Sequence, residues 1–125
     1  MPEKRLTELT RGEEEIMRIL WQLGDAVVNE IIARTEEPHP KYTTVATFLK
    51  ILENKGFVGH RSEGKSYRYF PLVRKEEYAH CVMSSMLDSY FDGSLVQLVS
   101  FFSRHEEIPE SEIRELQEII KQTER

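Results

Sequence analysis

Thr43, Ala46, Thr47, Lys50 and Asn54 recur at intervals of three and four, so a helix drawn through residues 41–56 gathers them on one side. Hydroxyls, an amide, a small methyl and one ammonium are the groups that reach base edges, thymine methyls and phosphates in a major groove. No carboxylate interrupts the row. The opposite side carries Val45, Phe48, Leu49 and Leu52 at i, i+3, i+4 and i+7, the stripe that a core covers. Thr43 or Thr44 is expected to cap the start of this helix, and Gly56 to end it in the left-handed conformation. An ordinary amphipathic surface helix has the same period, so the surrounding elements decide between the two readings.

Other chemistry is poorly provided for. His80 and Cys81 are adjacent on a helical pattern and diverge by roughly 100°, which does not make a nucleophile and base pair. There is no Gly-rich phosphate loop, no His-Glu-x-x-His and no paired-cysteine motif, and His39, His60 and His105 stand apart from one another. The expectation is a protein that is not an enzyme and takes no metal or cofactor. One cysteine excludes an internal disulfide framework, and neither a leader pattern nor a long apolar run is present, so a cytoplasmic location is expected.

A formal net charge of −5 argues against nucleic acid until its distribution is followed. Residues 75–125 hold five bases against eleven acids, a net of −6, which leaves residues 1–74 at +1. Within residues 41–74, seven bases (Lys41, Lys50, Lys55, Arg61, Lys65, Arg68, Arg74) face two acids, Glu53 and Glu63. A phosphate backbone within a Debye length, roughly 8 Å, responds to that local field rather than to the total.

The elements that must hold residues 41–56 in place can be read in order. Met1 to Leu9 reads as an extended lead-in. Thr10 and Glu13 have capping-box spacing and open a first helix to about Leu23, with Ile16, Leu20 and Leu23 on one edge, Met17 and Trp21 beside them, and Gly24 as its stop. Trp21 lies in that stripe and is read as core. A second helix is expected over residues 27–35, with Val28, Ile31 and Ile32 inward. Pro38 and Pro40 prohibit its continuation, so residues 36–42 form the turn of a helix-turn-helix. Two β-favouring runs around Glu63, Gly64 and Lys65 make a hairpin directly after the third helix. That is the position of a wing, with Arg61 and Lys65 near its tip set to meet a phosphate strand or the minor groove.

Pro71 leads out of this domain, placed at residues 1–74, into a second at 75–125. A helix is expected over residues 75–92, with Tyr78, Val82, Met86 and Tyr90 on one edge and an end at Asp92 and Gly93. Ser94 is expected to cap the next, which carries Leu95, Leu98, Val99 and Phe102 on one face and Val96 and Phe101 elsewhere. Pro109 introduces a last helix striped by Ile113, Leu116, Ile119 and Ile120. Some fifty residues cannot cover that much apolar surface alone, and a twofold dimer would do so.

Several separated segments resemble the BlaI/MecI penicillinase-repressor family of bacterial transcriptional regulators. They begin at Glu14, Asn29, Thr44, Leu52, Ser94 and Glu112 and cover nearly the whole chain. The resemblance implies a mainly α fold with a small β-hairpin: a winged helix-turn-helix domain followed by a three-helix dimerisation domain. It further implies a homodimer that represses transcription from palindromic operators. Carried over residue by residue, it nominates Thr43, Thr44, Ala46 and Thr47 for base reading, supported by Lys41, Tyr42, Lys50, Arg61 and Lys65. Well-known members are similar at Thr44 and Thr47 but carry lysine and arginine where this chain has Thr43 and Ala46. A bidentate arginine contact is worth roughly 1–3 kcal/mol of discrimination, so the family operator is not assumed for this chain, and contacts from Ala46 and the threonine methyls to thymine methyls are the hypothesis in its place.

In the family, a membrane sensor with a zinc protease domain detects a β-lactam and the repressor is cut in its dimerisation domain. The matching bond here is Phe101–Phe102, with phenylalanine in place of the usual asparagine. The alternative reading is a winged-helix protein-interaction module without DNA binding. Replacing Arg61 and Lys65 separates the two, because only a DNA binder loses affinity and salt dependence.

Overall fold

The computed structural model of the chain describes residues 8–105 and 108–123, and the lead-in expected over the first residues falls mostly outside them. Six helices and one hairpin follow in order: α1 (Arg11–Leu23), α2 (Val28–Ala33), α3 (Tyr42–Asn54), β1 (Val58–Glu63), β2 (Ser66–Pro71), α4 (Lys75–Tyr90), α5 (Leu95–His105) and α6 (Glu110–Thr123). The first three helices and the antiparallel hairpin make a winged helix-turn-helix.

The start of α1 is closed as its spacing predicts. Thr10 Oγ1 accepts from the Glu13 N–H at 3.4 Å, and Glu13 Oε1 accepts from the Thr10 N–H at 3.1 Å. Gly24, at φ +86°, ends the helix by donating its N–H to the Leu20 carbonyl. Helix α2 is shorter than its periodicity suggested: Val27 precedes it, with its N–H held by the Glu30 carboxylate at 3.0 Å, and Arg34 and Thr35 close the far end by short-range bonds.

Two expectations for α3 meet different outcomes. Neither Thr43 nor Thr44 caps it. The capping position is Lys41, whose backbone carbonyl takes the N–H groups of Thr44 and Val45, and no side chain closes the first turn. Both threonines are already inside the helix, where the Thr47 hydroxyl donates to the Thr43 carbonyl at 2.8 Å. The other end is as expected. Gly56 sits at φ +83°, its N–H bonds to the Glu53 carbonyl, and the Phe57 N–H reaches back to Leu52 at 2.9 Å. Phe57 and Leu52 are both fully buried, so this reversal delivers the chain from helix to strand with its hydrophobic contact in place.

The core of this first unit joins Ile16, Met17, Ile19 and Leu20 of α1 to Val28 and Ile31 of α2 and Val45, Leu49 and Leu52 of α3, closed by Phe57, Val58, Val73 and Tyr78. Each fully buried aliphatic side chain contributes about 1.5–3 kcal/mol relative to exposure, which is what fixes the back of α3. Trp21 packs against the core and donates its indole N–H to the Val73 carbonyl at 2.9 Å. Tyr78 lies beside Phe57 and Trp21, and its hydroxyl accepts from the Leu9 N–H at 2.8 Å. The compact unit accordingly runs through Val82, because the first two turns of α4 supply Tyr78 and Val82 to it.

From Met83 onward the chain forms a second compact unit. Ser94 caps α5 through its hydroxyl on the Gln97 N–H at 3.1 Å, and the Pro109 carbonyl receives the first N–H groups of α6. No described residue of α5 or α6 is buried. Met83, Met86, Tyr90, Leu95, Val99, Ile113, Leu116, Ile119 and Ile120 all remain exposed.

Candidate nucleic-acid interface

Over its buried stripe, α3 presents Tyr42, Thr43, Thr44, Thr47 and Lys50 to solvent, with Lys41 just ahead and Ala46 half-buried at the edge of the row. The first turn carries no acid and no side-chain cap, so its unpaired N–H groups remain open toward water or an anion. Because the Thr47 hydroxyl is directed back to the Thr43 carbonyl, its methyl is the group left for a partner on this face. The turn before α3 is braced by the Thr35 hydroxyl, which bonds the Ile32 carbonyl at 2.6 Å and lies 2.9 Å from His39 Nδ1.

The hairpin turns through Gly64 and Lys65, with Gly64 at φ +60°. Residues opposite one another share a face, so the register sorts the side chains. His60 pairs with Tyr69 and Ser62 with Tyr67 on one face; Gly59 pairs with Phe70 and Arg61 with Arg68 on the other. The first face is tied to the third helix, since His60 Nδ1 lies 2.6 Å from Glu53 Oε2. The second is tied to α2 and to the connection that precedes it. Arg68 meets Glu63 through two bonds of 2.8 and 2.9 Å, Asp25 at 3.0 Å and Glu30 at 3.2 Å. Arg61 reaches Asp25 at 3.3 Å and lies over the Phe70 ring.

The charges respond accordingly. The Arg68 guanidinium, and after it Arg61, hold the Asp25 carboxyl below the usual range, and Arg68 does the same for Glu63. Arg68 is in turn raised by Glu63 and Asp25. Burial pushes the Tyr69 hydroxyl up. Between α2 and the hairpin, the Ala26 N–H and carbonyl bond Tyr69 at 2.9 and 2.8 Å, so the connection after α1 runs beside β2 as a one-residue third strand.

Ion pairing alters the field that the sequence suggests. Of the seven bases in residues 41–74, Lys55 pairs with Glu13, Arg61 and Arg68 with the carboxylates above, and Arg74 with Glu77. Lys41, Lys50 and Lys65 have no ion pair among the described residues, and all three are exposed. The structure thus brings Lys41, Tyr42, Thr43, Thr44, Ala46, Thr47 and Lys50 together on one helix, and sets Lys65 at the hairpin tip. Arg61 stands on the hairpin face directed to Asp25. Sequence reasoning missed Glu53 and His60, because a helix residue and a strand residue seven positions apart reveal their contact only when the reversal at Gly56 is known.

Phe101 and Phe102 lie in the middle of α5, 43% and 47% exposed. Phe101 packs edge-on to Phe91 at 5.6 Å and stacks with His105 at 4.4 Å. Among the described residues no cluster of His, Cys, Asp and Glu could hold a metal ion, and no helix is long and apolar enough to cross a membrane.

Comparison with known proteins matches residues 9–122 to the family model described as penicillinase repressor. The penicillinase repressor of Bacillus licheniformis is 28% identical over 122 residues, covering 95% of this chain and 94% of its own. The methicillin resistance regulatory protein MecI of Staphylococcus aureus (strain N315) is 28% identical over 116 residues, covering 90% and 93%. In structure, the DNA binding domain of the repressor BlaI aligns at a TM-score of 0.52 and 26% identity, covering 61% of this chain and 94% of that domain. A match that spans both compact units, on a winged helix-turn-helix with an open third helix, means that the chain belongs to the penicillinase-repressor family.

Proposed function

We propose that this protein is a DNA-binding transcriptional repressor that grips a palindromic operator as a homodimer and is released by cleavage between Phe101 and Phe102. The observation that carries the DNA reading is the acid-free first turn and exposed Thr43, Thr47 and Lys50 row of α3 over the buried Val45, Leu49 and Leu52. Thr43, Thr44, Ala46 and Thr47 read base edges and thymine methyls, while Lys41, Tyr42, Lys50 and Lys65 meet phosphates. Arg61 joins them only by exchanging Asp25 for a phosphate.

The exposed apolar residues of α4, α5 and α6 support self-association, because a lone chain leaves them in water. Two half-sites on one dimer then raise affinity through effective concentration, and cutting α5 would remove α6 from that interface and return each wing to weak single-site binding. Enrichment of a random duplex pool by the full-length chain, footprinting of the product and sedimentation of the free protein test the reading together. A twofold-symmetric footprint and a dimer in solution are expected; no enriched sequence, or a monomer throughout, overturns it. For release, the cognate membrane protease should cut the free dimer at Phe101–Phe102 and spare the DNA-bound form, as exchange through local opening requires; an intact bond in the free protein rejects that step.

A further inference from the structure

Glu53 stands seven residues after Ala46 and therefore occupies the same edge of α3, two turns further on. His60 Nδ1 meets its carboxylate at 2.6 Å, and the Tyr67 ring lies against the His60 ring with centroids 4.6 Å apart. A continuous chain of contacts thus runs from the edge of the reading helix to a tyrosine on the wing. Tyr67 is 52% exposed, and its hydroxyl makes no hydrogen bond among the described residues. Its ring is held while its hydroxyl stays unengaged, on the hairpin face that turns toward α3. The opposite face carries Arg61 and Arg68, already engaged by Asp25, Glu30 and Glu63.

We propose that Tyr67 donates its hydroxyl to the sugar-phosphate backbone bordering the groove that α3 enters, with His60, braced by Glu53, as the positioning residue for its ring. Tyrosine hydroxyls are regular donors to phosphate oxygens, and a duplex laid on the exposed row of α3 meets this face of the hairpin before the one bound to Asp25. The inference rests on the DNA reading above and adds a wing contact that depends on a hydroxyl rather than a cation.

The distinction is measurable. Full-length wild type, Tyr67→Phe, Lys65→Ala, His60→Ala and the His60→Ala/Tyr67→Phe double variant are titrated with the duplex that wild type enriches, over a range of salt. Loss of one hydrogen bond to a charged acceptor should weaken Tyr67→Phe about tenfold. Its salt slope should stay at the wild-type value, because a hydroxyl releases no counterion, whereas Lys65→Ala should flatten the slope. His60→Ala should lose a similar factor, and the double variant no more than either alone. Wild-type affinity in Tyr67→Phe, or additive losses in the double variant, overturns the proposal. If His60→Ala fails to fold, the conservative change at exposed Tyr67 decides alone. Failure of wild type to bind any duplex refutes the DNA reading itself and is seen before a variant is made.

Discussion

Lys55 Nζ lies 2.7 Å from Glu13 Oε1, joining the end of α3 to the first turn of α1. Glu13 is buried, and the same carboxylate receives the Thr10 N–H, so one side chain closes a helix start and neutralises a half-buried ammonium. Glu13→Ala should remove both interactions at once and lower unfolding free energy by about 2–4 kcal/mol. Glu13→Gln, which keeps an acceptor for Thr10, should cost less. Urea titration of both variants checks the order.

The pH dependence follows from the same group. Burial alone would raise the Glu13 carboxyl, but bonds from Lys55 and Thr10 outweigh it and hold the group below its ordinary value of 4.5. A carboxyl depressed on folding binds fewer protons in the native state, so its stabilisation is complete above about pH 4.5 and fades as pH falls through the lower native value. The urea midpoint of wild type should therefore drop on acidification below that point. In Glu13→Gln the drop should be smaller, with Asp25 and Glu63, both depressed by Arg68, supplying what remains.

Gly12 of α1 leaves the space that the Phe48 ring of α3 occupies. A methyl group there would stand 2.7 Å from the Phe48 ring. Phe48 is partly buried where it packs against the core, so its ring must turn toward solvent or push α3 away. Gly12→Val should cost about 1–3 kcal/mol, and any relief obtained by tilting α3 should appear as weaker operator binding beyond what unfolding explains. Thermal melting and duplex affinity measured on one preparation separate these effects.

Thr47 offers a test of methyl recognition. Its hydroxyl is engaged at the Thr43 carbonyl, leaving the methyl outward. Thr47→Ser deletes that methyl and Thr47→Val retains a branched apolar surface in its place. If thymine methyls are what this position reads, Ser should weaken binding to the enriched duplex more than Val; the reverse order would assign the role to the hydroxyl.

Much of this architecture is written in local chemistry. Thr10 and Glu13, Gly24, Ser94 and the Val45, Phe48, Leu49, Leu52 stripe announce themselves because caps and helical periods depend on residues three or four apart. The start of α3 misled because a threonine inside a first turn and one at the cap look alike in sequence, and here Pro40 and Lys41 shift the boundary back. Charge was legible only as a sum. That Lys55, Arg61 and Arg68 are engaged while Lys41, Lys50 and Lys65 are not depends on Glu13, Asp25 and Glu30, brought in from distant positions by folding. The open face of α3 was visible from spacing alone, whereas Glu53, His60 and Tyr67 needed the hairpin register.

The single bridge between Ala26 and Tyr69 divides the wing mechanically. Below it the hairpin is anchored on both sides, by that bridge and by the His60 contact; beyond it, residues 62–67 are held by their own ladder, by the Glu63 bonds to Arg68 and by the Tyr67 ring on His60. The external backbone support thus ends at Tyr69, while the ladder itself continues to the turn. In the proposed DNA complex any adjustment to groove width would fall on this tip while the root keeps its place beside α3, restricting only a handful of backbone angles rather than the whole domain.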